Sequence, residues 1–153
     1  MEFILLMDRI KCCYNTTLQI LTNSPVLHSL IIRECEDVAD ILKFLCHIHG
    51  GLRKLILKDC WLGKDSTGLL YPDLEVLSLE LCYPLTSAGY CLIPHLKKLS
   101  ELNLSEFDSD YVSVLNHWRR MFVYVNARRR TPLEIRFIYW SKKDIYCIFK
   151  RDA

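Results

Sequence analysis

The sequence has no long apolar run. A membrane-crossing helix needs about eighteen or more predominantly apolar residues, whereas Phe3 to Met7, the longest obvious run, is five residues long and follows Glu2. A membrane span is therefore not expected, and neither is a secretory leader, which wants a basic start and a longer apolar stretch. Close cysteine pairs are missing too. No CxxC occurs among the eight cysteines, so the paired-ligand spacing of a zinc site is lacking. There is no GxSxG, no HExxH and no phosphate-cradling glycine loop, and nothing identifies a nucleophile with a base in reach and a third group to orient it. The expectation is a protein that is not an enzyme, with no metal and no cofactor.

What is present suits one folded domain. A length of 153 residues suffices for one core and leaves no room for a second enzyme-sized unit. With 51% hydrophobic, 25% charged and 11% aromatic residues the chain has the composition of a folded protein rather than a disordered one. Without a secretory signal, the cysteines read as free thiols in the cytosol or nucleus. The triplets Asn15-Thr16-Thr17 and Asn103-Leu104-Ser105 do not alter that reading, because such sequons arise often by chance and the second lies within an expected strand.

Self-similarity is the strongest signal. Four segments align without gaps, starting at Leu27, Leu52, Leu74 and Leu99 and ending at Cys35, Cys60, Cys82 and Phe107. Each is apolar at offsets 0, 3, 5 and 8 from its first residue. Of the twelve positions at the first three offsets, eleven are Leu and the twelfth is Ile32. Starts separated by 25, 22 and 25 residues fit a repeat architecture with one short strand per unit. Offsets 3 and 5 point to one side of a strand and the residues between them to the other. Between strands, Val38, Ile41, Leu42 and Leu45 follow helical spacing, with Asp37 placed to cap and Gly50-Gly51 to stop the helix. The next return holds Gly63, Gly68 and Pro72 and reads as a tight helical turn; Thr86 to Ile93 reads as a helix stopped by Pro94.

This pattern resembles the leucine-rich-repeat superfamily. Cys35, Cys60 and Cys82 at offset 8, with Leu85-Thr86-Ser87-Ala88-Gly89 after the third strand, resemble its cysteine-containing and ribonuclease-inhibitor-like subclasses. Phe107 departs from the pattern. The resemblance covers residues 27 to 107 and extends back through Asp8 to Leu21, read as a preceding helix. It implies an α/β solenoid, with a short parallel sheet on the concave face and helices or turns on the convex face. It also implies recognition rather than chemistry: the concave face commonly binds proteins, and the cysteine-containing subclass is typical of substrate receptors of ubiquitin ligases. The domain reading is 1–26 as an N-terminal helix or cap, 27–110 as four repeats and 111–153 as a basic, aromatic helix followed by a β-hairpin cap.

Stacked strands would align equal offsets into outward columns. Offset 2 collects Ser29, Lys54, Val76 and Glu101; offset 4 collects Ile31, Ile56, Ser78 and Asn103; offset 6 collects Arg33, Lys58, Glu80 and Ser105. The candidate partner-binding set is Ile31, Arg33, Lys54, Ile56, Lys58, Ser78 and Glu80, an apolar spot edged with charge that suits a protein partner offering an apolar residue beside an acid. Good strand-forming character explains Ile31 and Ile56 equally well.

The other potential ligands have plainer explanations. The repeated cysteines are expected to satisfy backbone carbonyls at the turns. The histidines of Cys46-His47-Ile48-His49 are two apart and cannot share a helix face; a helix-terminal role fits them better. Cys12-Cys13 has no nearby partner in sequence.

Charge is unevenly divided. Residues 1–111 hold ten Lys or Arg and fifteen Asp or Glu, whereas residues 112–153 hold ten and three. In the tail, Val112, Leu115, Trp118 and Phe122 mark a helix, Arg128 to Arg130 breaks its pattern, and Leu133 to Trp140 and Ile145 to Phe149 read as two strands around a polar turn, with no fifth repeat. Basic residues beside Trp118, Tyr124, Tyr139 and Trp140 leave a nucleic-acid contact open, although no motif for it is present. An enzyme inhibitor like the ribonuclease inhibitors is the other alternative; Arg33 and Lys58 disfavour a basic nuclease as its target.

Overall fold

The computed structural model describes residues 4–8, 19, 22–23, 26–36, 38–48, 51–62, 71–82, 95–106, 111–128, 133–139 and 145–149. It has an α/β architecture. The elements are β1 (Ile4–Asp8), β2 (Ser29–Arg33), α1 (Val38–Ile48), β3 (Lys54–Lys58), β4 (Val76–Glu80), β5 (Glu101–Glu106), α2 (Tyr111–Ala127), β6 (Glu134–Tyr139) and β7 (Ile145–Phe149). The seven strands form one sheet in chain order. β1 to β6 pair parallel, and β7 pairs antiparallel with β6.

The leucine spacing accounts for the register. Leu30 pairs with Leu55, Leu55 with Leu77, Leu77 with Leu102 and Leu102 with Ile135; one step further along, Ile32, Leu57, Leu79, Leu104 and Phe137 align in the same way. A slip of one residue would turn these side chains to the opposite face. The first row is wholly buried, as are Ile32, Leu57 and Leu104. Leu27, Leu52, Leu74 and Leu99 lie in the same core. On α1, Val38, Ile41, Leu42 and Leu45 are buried at three- and four-residue spacing and close that core from one side.

The strand junctions repeat as closely as the strands. The carbonyl of His28 accepts from the N–H groups of Arg53 and Lys54, that of Arg53 from Glu75 and Val76, and that of Glu75 from Ser100 and Glu101. Beyond each strand, Glu34, Asp59 and Leu81 sit at equal offsets with φ of 51°, 50° and 53°. Left-handed backbone costs a residue with a side chain about 1 kcal/mol. Its benefit here is a directed N–H: Glu34 donates to the Lys58 carbonyl and Asp59 to the Glu80 carbonyl, both at 2.9 Å, and Leu81 donates to the Ser105 carbonyl at 3.1 Å.

At the N-terminal end a strand stands where a helix or cap was expected, and at the C-terminal end the helix and the two strands read from the sequence are present but join the sheet through a pairing that was not expected. Residues 1–26 were expected as a helix or cap, yet Ile4–Asp8 is a strand in register with Ser29–Arg33. Its Leu5 and Met7 take the places of Leu30 and Ile32; a single Met for Leu, with Glu2 at offset 0, hides the unit from a leucine count. Gln19, Thr22 and Asn23 have helical backbone. At the other end, where no fifth repeat was expected, β6 continues the parallel register with β5. Pro132 at offset 0 and a spacing of 33 residues from Glu101 to Glu134 conceal it. The expected cap at Asp37, the helix over 86–93, Gly63, Gly68, Phe107, Cys12, Cys13 and His49 lie outside the described residues.

Candidate partner-binding face

The sheet register brings the predicted site residues together. Ile31 pairs with Ile56 and Ile56 with Ser78; Arg33 pairs with Lys58 and Lys58 with Glu80; Lys54 stands between Ser29 and Val76. These positions alternate with the buried leucines and occupy the opposite face of the strands. Arg33 and Lys54 are exposed, while Ile31, Ile56, Lys58 and Glu80 are half-buried.

Ser78 is the exception. Only 4% of it is exposed, and its hydroxyl lies 3.3 Å from Oε1 of Glu80 as a donor. A short side chain between longer neighbours cannot reach a partner, so Ser78 orients Glu80 instead of lining the surface. Ser29 and Ser105 are buried in the same way.

The electrostatics of this face are graded along the sheet. Lys58 Nζ lies 3.3 Å from Glu80 Oε2, Arg136 Nη1 lies 3.5 Å from Glu101 Oε1, and Asn103 Nδ2 donates to the same Glu101 oxygen at 2.7 Å. Arg53 and Glu75 approach to 4.0 Å. Such half-exposed pairs contribute about 0–1 kcal/mol each, but they neutralise cations that a partner would otherwise meet. Among the described residues neither Arg33 nor Lys54 has an acid partner. Among the described residues, the cations of this face without an acid partner therefore sit on β2 and β3, beside Ile31 and Ile56, with Asp8 of β1 in register with Arg33.

The repeated cysteines lie away from this face, in the core. Cys60 Sγ lies 3.2 Å from the Lys58 carbonyl and 3.6 Å from that of Ile32; Cys82 Sγ lies 3.4 Å from the Leu57 carbonyl and 3.6 Å from that of Glu80. As weak donors they cover carbonyls at the strand exits. The Cys60–Cys82 hydrogen bond lowers the Cys60 thiol pKa and raises that of Cys82, burial adding to the rise at Cys82. Cys35, Cys60 and Cys82 are all free and buried. Among the described residues no group of three or more His, Cys, Asp or Glu is placed to hold a metal ion, and no helix is long and apolar enough to cross a membrane.

Two polar residues that carry much of the architecture escaped the sequence reading. Tyr71 is fully buried, and its hydroxyl donates to the Leu42 carbonyl of α1 at 2.7 Å. Burial, and after it the neighbouring Cys46, push the phenol pKa well above its ordinary value. Asn126 is buried near the end of α2, where its Oδ1 accepts from the Leu133 N–H at 3.0 Å and its Nδ2 donates to the Phe122 carbonyl at 3.2 Å. It ties the helix to the start of β6. Tyr71 lies three residues before Leu74 as buried Leu96 lies three before Leu99, each carbonyl accepting from the leucine N–H, but the hydroxyl bond is particular to Tyr71. Asn126 belongs to no repeated position, so periodicity gave no hint of either polar contact.

Comparison with protein-family models, with curated protein sequences and with solved structures finds no match for this chain.

Proposed function

We propose that this chain is a leucine-rich-repeat solenoid of the cysteine-containing type, and that it works as a non-catalytic recognition module holding a protein partner on the β2–β3 part of its strand face. The register carries this reading: equal offsets stack from β2 to β5, so that Ile31 and Ile56 adjoin and Arg33 and Lys54 stand open beside them. A partner side chain that is apolar and flanked by a carboxylate would bury against the isoleucines and neutralise the two cations. A buried anchor inside a charged rim is the usual energetic layout of an interface.

The proposal is tested by affinity capture with the intact chain, an Arg33→Glu, Lys54→Glu variant and an Ile31→Asp, Ile56→Asp variant. The first pair is exposed and leaves the core untouched, so its circular dichroism should match that of the parent. Both variants should lose the same captured proteins. An unchanged set from the charge-reversed variant would place recognition elsewhere. The cysteine-containing resemblance adds a sharper form, in which the captured set includes ubiquitin-ligase subunits; their absence would remove the ligase role and leave the recognition module.

A further inference from the structure

A second surface, on α2, differs from the strand face in composition and in how its charges are used. We propose that the outward face of α2 is a separate docking surface for an acidic protein segment that carries an apolar residue between its carboxylates. Asn116, Arg119, Arg120, Val123, Tyr124 and Arg128 are all exposed. Their three- and four-residue spacing places them on one side of the helix. The opposite side turns half-buried Phe122 and buried Val125 and Asn126 toward the core.

Charge identifies the occupant. No Asp or Glu occurs between Tyr111 and Arg128, and among the described residues Arg119 and Arg120 have neither an acid nor a hydrogen-bond partner. Elsewhere Lys58, Arg136, Lys98 and Arg53 each stand beside a carboxylate of this chain. Two adjacent exposed guanidinium groups with no acid partner among the described residues are suited to forked hydrogen bonds with carboxylates.

The remaining residues favour protein over nucleic acid. Val123 is 62% exposed in the turn after the two arginines, and its isopropyl group gains nothing from a phosphate backbone but would pack against an aliphatic side chain. Tyr124 could in principle stack on a base, yet the Arg128 guanidinium already lies 3.6 Å above its ring and donates to its carbonyl at 3.2 Å. Arg128 thereby stiffens the end of the helix and occupies one ring face. A segment with leucine between acidic residues satisfies the valine and both arginines together.

The experiment titrates the full chain with three fluorescein-labelled probes at fixed moderate salt: a short helical peptide alternating leucine and glutamate at helical spacing, polyglutamate of the same length, and a single-stranded RNA of similar length. The leucine-containing peptide should bind most tightly. Arg119→Gln, Arg120→Gln should weaken it by about tenfold or more. The uncharged change Val123→Gln should weaken that peptide alone, bringing it to the level of polyglutamate. All three positions are solvent-facing, so melting temperature should be unchanged and a loss of binding cannot be ascribed to unfolding. Equal affinity for both peptides, indifference to Val123→Gln, tighter binding of the RNA, or no binding at all would each overturn the proposal. Because the strand-face residues Arg33 and Lys54 are untouched in these variants, failure here does not bear on recognition through β2 and β3.

Discussion

From β2 to β5 the molecule meets the same local demands several times with the same residue type or the same backbone geometry at the same offset, whereas from α2 onward each junction has its own device. In the first region leucine rows fill the core, carbonyls at offset 1 accept paired N–H groups, left-handed residues at offset 7 reach the next strand, and thiols at offset 8 cover carbonyls. In the second, one buried asparagine joins α2 to β6 and one cation–π contact ends the helix. Repetition spreads stability over many similar contacts. A single-purpose device concentrates it in one residue.

The sharpest way to break that contrast is to empty one repeated core position. Leu77 is fully buried between Leu55 and Leu102, so Leu77→Ala should cost about 3 kcal/mol in urea denaturation, against about 0.5 kcal/mol or less for the exposed Lys54→Ala. If the two changes cost the same, the assigned register is wrong. The C-terminal junction should come next. Asn126→Ala leaves the buried Leu133 N–H without its acceptor and should cost about 2 kcal/mol; hydrogen exchange at β6 should rise before exchange at β3. Uniform exchange across both strands would mean that Asn126 is not a local tie.

Tyr71→Phe probes a polar link within the repetitive region. It removes the hydroxyl bond to Leu42 while keeping the ring, with an expected cost of about 1 kcal/mol. Because the folded phenol titrates above the unfolded one, its contribution is fully present below the unfolded value of about pH 10 and declines as pH rises beyond it. The parent should therefore lose stability in alkali more steeply than the Phe variant, a comparison read from melting temperatures on either side of that pH. Parallel curves would contradict the buried, hydrogen-bonded phenol. The smallest effect is a gain. Glu34 is exposed and left-handed, so Glu34→Gly should relieve about 1 kcal/mol of backbone strain against a smaller entropic penalty in the unfolded chain, for a net gain of about 0.5 kcal/mol. The same change at the neighbouring strand residue Arg33 should instead destabilise the protein by about 0.5–1 kcal/mol.

Legibility in the sequence followed the same division. The α1 stripe of Val38, Ile41, Leu42 and Leu45 and the columns of outward residues could be written down from spacing alone, because a strand period of two and a helix period of 3.6 leave few arrangements that bury those side chains together. β1 was missed because Met7 stands where leucine would announce it; β6 was legible as a strand, but its parallel pairing with β5 was not, because its distance from β5 is longer than the other spacings. Among site residues, the adjacency of Ile31 with Ile56 and of Arg33 with Lys58 was readable, but the burial of Ser78 was not: side-chain length matters only once neighbours are in place. Nor could spacing distinguish the exposed Arg33 from the half-buried Lys58, whose charge is taken up by Glu80 one strand away.

Periodicity thus determined which residues lie inside, which strands are equivalent and which columns a partner could touch, since these follow from local geometry repeated along the chain. Tertiary structure alone decided which of the outward cations meet a carboxylate, where Tyr71 and Asn126 find their acceptors and donors, and that Arg119 and Arg120 are exposed on α2 with no acid partner among the described residues. The physical reason is range. A hydrophobic period acts over a few bonds, whereas ion pairing and burial depend on side chains brought together from segments tens of residues apart.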